Sequence, residues 1–234
     1  MTQPTSIRNR FDRSLQPIRS QSRIRNSRFR RPRLETLEQR YVLAAAIWDG
    51  GGPDLNWSTP ENWIGNQIPA SGDEVTIDDA RSIEVVYDIE EPLSIASLNL
   101  SESLKLTAGG LTVAGTTVIQ PNRTLTVDGA ELLAEGPAQI DTTSLYVRNG
   151  GELRLPGATS YTNTNTSDHD RYLRANGVGS VLSLPNLVSI SSSLHRYDEL
   201  FIESLNGGAV ELGTDVSEMV VAGGAVRFIA DGGA

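Results

Sequence analysis

The densest run of ionisable side chains is Asp168-His169-Asp170-Arg171, with Arg174 three residues on. A histidine flanked by carboxylates has the makings of a general base, because neighbouring negative charge favours the imidazolium and raises its pKa. Against that stands a plainer account: the cluster lies in a polar stretch from Ser160 to Tyr172, where charged side chains serve solvation. A second polar group, His195-Arg196-Tyr197-Asp198-Glu199, reads as a surface turn. The sequence has no cysteine, so a thiolate nucleophile, a Cys-ligated zinc and a disulfide framework are excluded. Glycine-rich phosphate loops, paired metal-binding histidines and a Gly-x-Ser-x-Gly elbow are also missing from it. The expectation is therefore a protein with no catalytic residues, metal or cofactor.

All three tryptophans, Trp48, Trp57 and Trp63, fall within 16 residues. Indole rings offer stacking platforms for sugars, and a sugar-binding role for these three is one reading. The favoured one makes them a lid over the open end of a stacked β fold, where bare strand edges invite aggregation. Asp49, Asp54 and Asn56 carry oxygen ligands suited to calcium, but their spacing matches no recognised calcium loop. Gly50 to Pro53 must turn, and Val75 and Ile77 alternate with polar residues as in a half-buried strand.

Charge divides the chain. Residues 1–40 contain 11 Arg and three acids, a net charge of +8, whereas the other 194 residues carry −17. A boundary near residue 41 follows. The acidic body argues against nucleic acid as a partner, and no apolar run approaches the roughly 18–20 residues needed to span a bilayer. Residues 1–46 read as a basic, disordered leader with a short helix at about 34–43, since Leu34, Leu37 and Tyr41 share a helical face. Ala44 and Ala46 give an A-x-A cleavage pattern. A basic tail of this kind also suits RNA binding or organelle targeting. However, Arg31-Pro-Arg-Leu-Glu-Thr-Leu-Glu-Gln-Arg-Tyr-Val-Leu-Ala-Ala45 resembles the LExLExR-type leader of very large bacterial exoproteins, and that resemblance implies export.

From Leu98 to Leu155 apolar triplets recur every six to eight residues, from Leu98-Asn-Leu100 through Leu125-Thr-Val127 and Leu145-Tyr-Val147 to Leu153-Arg-Leu155. Each points two side chains one way and one the other. Arms this short cannot stand alone as hairpins. Three of them make a turn of about 20–21 residues, in the range of a β-helix. The fold expected is all-β: a single-stranded parallel β-helix, right-handed by the usual preference of parallel crossovers. It divides into a Trp-rich cap with first strands at 47–80 and a solenoid at 81–234. An excursion loop is expected at about 157–178. Strands return at Val181–Leu184, Leu187–Ile190, Leu200–Ile202, Val210–Leu212, Met219–Val221 and Val226–Phe228. Asn206-Gly-Gly-Ala and Ala222-Gly-Gly-Ala are corner copies, and Asp231-Gly-Gly-Ala234 is a third without its strand. A coil truncated and uncapped at that end is expected to allow end-to-end association.

The segment Trp48-Asp-Gly-Gly-Gly…Asn-Trp57-Ser…Glu-Asn-Trp63 resembles the opening of autotransporter-like β-helices of bacterial exoproteins. Together these features imply a non-enzymatic structural or adhesive protein, extracellular or on the cell surface. It would hold cell-surface components, matrix or polysaccharide by weak multivalent contacts. The rival is a carbohydrate-binding or polysaccharide-cleaving module, since pectate lyases and polygalacturonases are β-helices too. In that case the Trp segment or the 160–174 stretch would form the site.

Overall fold

Apolar residues two apart share one side of an extended chain, so triplets separated by Gly, Asn and Asp corners become short strands. The computed structural model describes residues 44–164, 169–193, 198–213 and 220–231. Its first strands are β1 (Ala45–Ile47), β2 (Glu74–Ile77), β3 (Glu84–Tyr87), β4 (Leu93–Ile95), β5 (Ser97–Leu100), β6 (Ser103–Leu106), β7 (Gly110–Val113) and β8 (Thr117–Ile119). Next come β9 (Thr124–Asp128), β10 (Glu131–Ala134), β11 (Ala138–Gln139), β12 (Ser144–Arg148), β13 (Glu152–Arg154) and β14 (Ser160–Thr162). The last are β15 (Arg171–Asn176), β16 (Val181–Leu184), β17 (Ser189–Ser192), β18 (Leu200–Leu205), β19 (Ala209–Leu212), β20 (Val220–Gly223) and β21 (Val226–Ala230).

The protein is all-β, and its strands pair in parallel. They form four sheets, ordered β1-β2-β5-β8-β11, β3-β6-β9-β12-β15-β18-β21, β4-β7-β10-β13-β16-β19 and β14-β17-β20. From β2 on, sheet neighbours are three strands apart in sequence. The chain therefore visits three faces in turn and returns beside itself, a β-helix-like arrangement. Register stacks like on like: Leu104 pairs with Leu125, Leu125 with Leu145, Leu145 with Leu173 and Leu173 with Ile202. This column is buried throughout, as is its neighbour Tyr87, Leu106, Val127, Val147 and Ala175. Corners are tight: a Cβ on Gly157 would run into the carbonyl oxygen of Gly136, and one on Gly136 into that of Gly115.

Circuit size is not constant. Corner and ladder contacts join residues 20 and 21 apart early in the coil, and 28 and 29 apart later. The extra length enters between β14 and β15 and between β17 and β18. The excursion expected at 157–178 is narrower than that, because β14 and β15 occupy 160–162 and 171–176 of it. Tyr161, Leu173 and Ala175 point into the core. So does Arg171, whose guanidinium donates to the carbonyls of Thr142 (3.0 Å) and Asp170 (2.9 Å) and to Asn122 Oδ1. An arginine whose N–H groups are satisfied by neutral acceptors at an inward position hides the alternation.

The leader helix at 34–43, Met219 and the final Gly232–Ala234 lie outside the described residues. Ala44 and Ala46, the cleavage pattern, are described. Ala46 sits in β1, which pairs with β2 through Ala45–Glu74, Ala46–Val75 and Ile47–Thr76.

Three stretches cover the first edge of the three sheets that begin the coil. β1 lies on β2. Residues 55–57 lie on β3, with Trp57 N–H donating to Val86 O (2.8 Å) and Val86 N–H to Leu55 O (2.9 Å). The 70–73 turn lies on β4, with Gly72 N–H donating to Ser94 O and Ala96 N–H to Asp73 O, both 2.8 Å. At the far end, Phe228 of β21 occupies the inward position registered with Ile202, yet it is 57% exposed.

A candidate binding face on the seven-stranded sheet

A triplet's middle residue must point outward, and on the sheet of β3 to β21 those positions acquire rings and arginines. Tyr146 of β12 is registered with Arg174 of β15, and Tyr172 of β15 with Phe201 of β18. Because parallel strands lie about 4.8 Å apart, flat side chains on adjacent strands stack. Tyr172 and Phe201 do so at 5.1 Å with planes 14° apart, and Tyr146 and Tyr172 at 5.8 Å with planes 29° apart. Arg174 lies over Tyr172 (4.6 Å to the centroid) and Tyr146 (5.5 Å), and Arg227 of β21 lies over Phe201 at 5.7 Å. Such cation–π contacts contribute about 0.5–1 kcal/mol each at exposed sites.

The charges on this face are paired. Asp128 accepts from Arg148 (2.8 Å) and lies 3.3 Å from Lys105, Glu203 pairs with Arg174, and Glu199 with Arg227 at 2.6 Å. Partial burial pushes the Asp128 carboxyl up, but hydrogen bonds from Asn149, Arg148 and Lys105 outweigh it and hold the group below the usual range. Burial pushes the phenols of Tyr146 and Tyr172 up, with nearby Asp170 adding to the effect at Tyr172. Beside Tyr146 a groove of about 380 Å³ opens, lined by Thr124, Thr126, Arg148, Arg174 and Asn176 among others.

Of the residues singled out from sequence, Arg174 lies on this face; the tryptophans lie elsewhere. Trp48, Trp57 and Trp63 are 2%, 0% and 0% exposed. They pack edge to face with one another and with Tyr87, at centroid distances of 4.9–5.2 Å. The sugar-stacking role assigned to them is therefore corrected, because no indole face is open to a ligand. Trp63 Nε1 donates to Trp57 O at 2.8 Å, and buried Asn62 ties Asn56 O to the Gly52 N–H. Asp54 accepts from Asn56 N–H and Thr59 Oγ, and these bonds with Asn62 lower its pKa. Asp49 accepts from Gly51 N–H at 3.2 Å. Both carboxylates shape turns. Among the described residues no three His, Cys, Asp or Glu side chains group as a metal site.

Of the ionisable cluster, Asp168 lies outside the described residues, as do His195, Arg196 and Tyr197. His169 N–H donates to Asp198 Oδ1 (2.9 Å) and Glu199 N–H to Asp170 Oδ1 (3.2 Å), so two successive circuits brace each other here. Arg171 turns inward, away from any outer face that His169 would serve. What the sequence reading missed is the ring ladder. Its signal was an aromatic at the centre of Leu145-Tyr-Val147 and of Leu200-Phe-Ile202.

No family model matches the chain, and neither a curated protein nor a solved structure is similar enough to it to be called a match.

Proposed function

We propose that this protein is a non-enzymatic module exported to the cell surface or beyond. In this reading it is a right-handed, single-stranded parallel β-helix acting as a rigid structural and adhesive rod. Its outer faces meet matrix, polysaccharide or other surface components by weak, repeated contacts. The single observation that carries the reading is the state of charge on the ladder face. Asp128, Glu199 and Glu203 are each engaged by a cation, and Asp128 is held towards ionisation. Cleavage of a glycosidic bond by a carboxyl pair requires one member kept protonated. A face of neutralised pairs and stacked rings suits adhesion instead. The LExLExR-type leader supports export.

Cell fractionation with N-terminal sequencing of the mature chain tests location, and the expected result is recovery outside the cytoplasm. Incubation of the purified full chain with a panel of polysaccharides tests the chemistry. Intact polymers are expected; new reducing ends or unsaturated products would overturn the non-enzymatic reading.

A further inference from the structure

We propose that the groove beside Tyr146 binds a carboxylated sugar unit of an acidic glycan. The inference deepens the adhesive reading by naming a ligand class, and it rests on four features of the groove.

The ring ladder stops at Tyr146. On one side its ring stacks with Tyr172, but its register partner on the other side is Thr126 of β9. A threonine is too small to continue the stack, and the groove opens there. An aromatic wall over a gap of this size suits the apolar face of a pyranose ring, whose C–H groups leave water on stacking. At about 380 Å³ the groove lies near the lower end of ordinary ligand sites.

The charge pairs around it are oriented. Side-chain exposures are 26% for Lys105 and 48% for Arg148, against 16% for their shared partner Asp128. For Arg174 and Glu203 they are 30% and 8%. In each pair the cation is the more exposed member, so the groove presents positive charge although the chain carries a net −9. Arg148 and Arg174 line the groove, whereas their carboxylate partners Asp128 and Glu203 do not. An arginine fork with free N–H groups matches a carboxylate in geometry as well as sign.

Neutral polar groups complete the lining. Thr124 and Asn176 offer hydroxyl and amide partners to ring hydroxyls, above the buried Thr126.

The groups are already fixed in place. All lie on strands, Arg174 is held by Glu203 and two rings, and Arg148 is held by Asp128. Binding therefore orders few side chains, which lowers its entropic cost.

The test is calorimetric titration of the purified full chain with trigalacturonate, and with the neutral galactose trimer as comparison. Trigalacturonate is expected to bind at least tenfold tighter, and several-fold more weakly when NaCl rises from about 20 to 300 mM. Tyr146→Ala and Arg148→Ala are each expected to weaken it at least tenfold. Tyr146→Phe should retain most of the binding, because the ring wall survives. Arg154→Ala, on β13 of a different sheet, should leave it unchanged. Circular dichroism of each variant confirms that the β signal is intact. Absence of binding by wild type overturns the proposal, as does equal affinity for the neutral trimer or an equal loss with Arg154→Ala. Because the purified chain is used, these outcomes stand apart from a failure of export, which would leave the groove's affinity untouched.

Discussion

Tyr172 and Phe201 stack almost parallel at 5.1 Å because register sets them opposite each other on β15 and β18. The two residues are 29 apart in sequence, so the contact forms only when a whole circuit closes. A double-mutant cycle with Tyr172→Ala and Phe201→Ala, followed by urea unfolding, is expected to give a coupling energy of about 0.5–1.5 kcal/mol. Additive effects would show that the rings are bystanders on the face.

The tryptophans give a second expectation. Buried indoles emit at short wavelength and resist quenching, so acrylamide should quench the folded chain far less than the chain in urea. Added glycan should leave the emission unchanged, since no indole reaches the surface. Trp57→Ala removes a ring packed against Trp63 and Tyr87, and should cost about 3–5 kcal/mol in urea unfolding. A cost below about 1 kcal/mol would mean that the aromatic plug contributes little to closing that end.

The Asp79–Arg81 pair predicts a pH dependence. Arg81, hydrogen-bonded to Asp79, also reaches the Gly50 carbonyl at 3.1 Å and so ties the aromatic segment to the chain after β2. The arginine's hydrogen bonds lower the Asp79 carboxyl from 3.8 to about 2 against the opposing effect of burial. The folded-state value lies below the unfolded one. The stabilisation is therefore complete above about pH 4 and disappears as pH falls toward 2. The Tm difference between wild type and Asp79→Asn should be positive at pH 6 and shrink towards zero near pH 2. A difference unchanged over that range would separate the pair from acid stability. Asp79 is largely covered but the Arg81 side chain is 55% exposed, so solvent screens the pair and its effect on Tm should be small.

Phe228 supplies a fourth. It occupies a core position on β21 but is 57% exposed, and Ile229 beside it is 40% exposed. An apolar strand end of this kind recruits another strand. Sedimentation should show self-association that grows with concentration, and Phe228→Asp should return the chain to monomer. Association undiminished by that change would place the contact elsewhere.

How much of this was legible beforehand depended on what each position carries. Leu98-Asn-Leu100, Leu125-Thr-Val127 and Leu145-Tyr-Val147 each became a strand because only the alternating pair had to be apolar. β15 escaped notice because one of its inward residues is Arg171, and a guanidinium satisfied by carbonyls cannot be told from a solvated one in sequence. β1, β3 and β4 lie ahead of Leu98, where the regular run of triplets begins, so no repeat marked them. For the tryptophans, clustering was visible but depth was not, and depth decides between platform and plug. The ladder face needed the register of Tyr146, Tyr172 and Phe201. That register depends on a circuit length that changes part-way along the coil, so no fixed repeat could reveal it.

Residues 45–47, 55–57 and 70–73 all occupy edges at the same end of the stack. The outer edges of β2, β3 and β4 are thereby each occupied by a segment of the same chain. A foreign strand finds no vacant ladder on them, so sheet extension by a second molecule is blocked on those three strands.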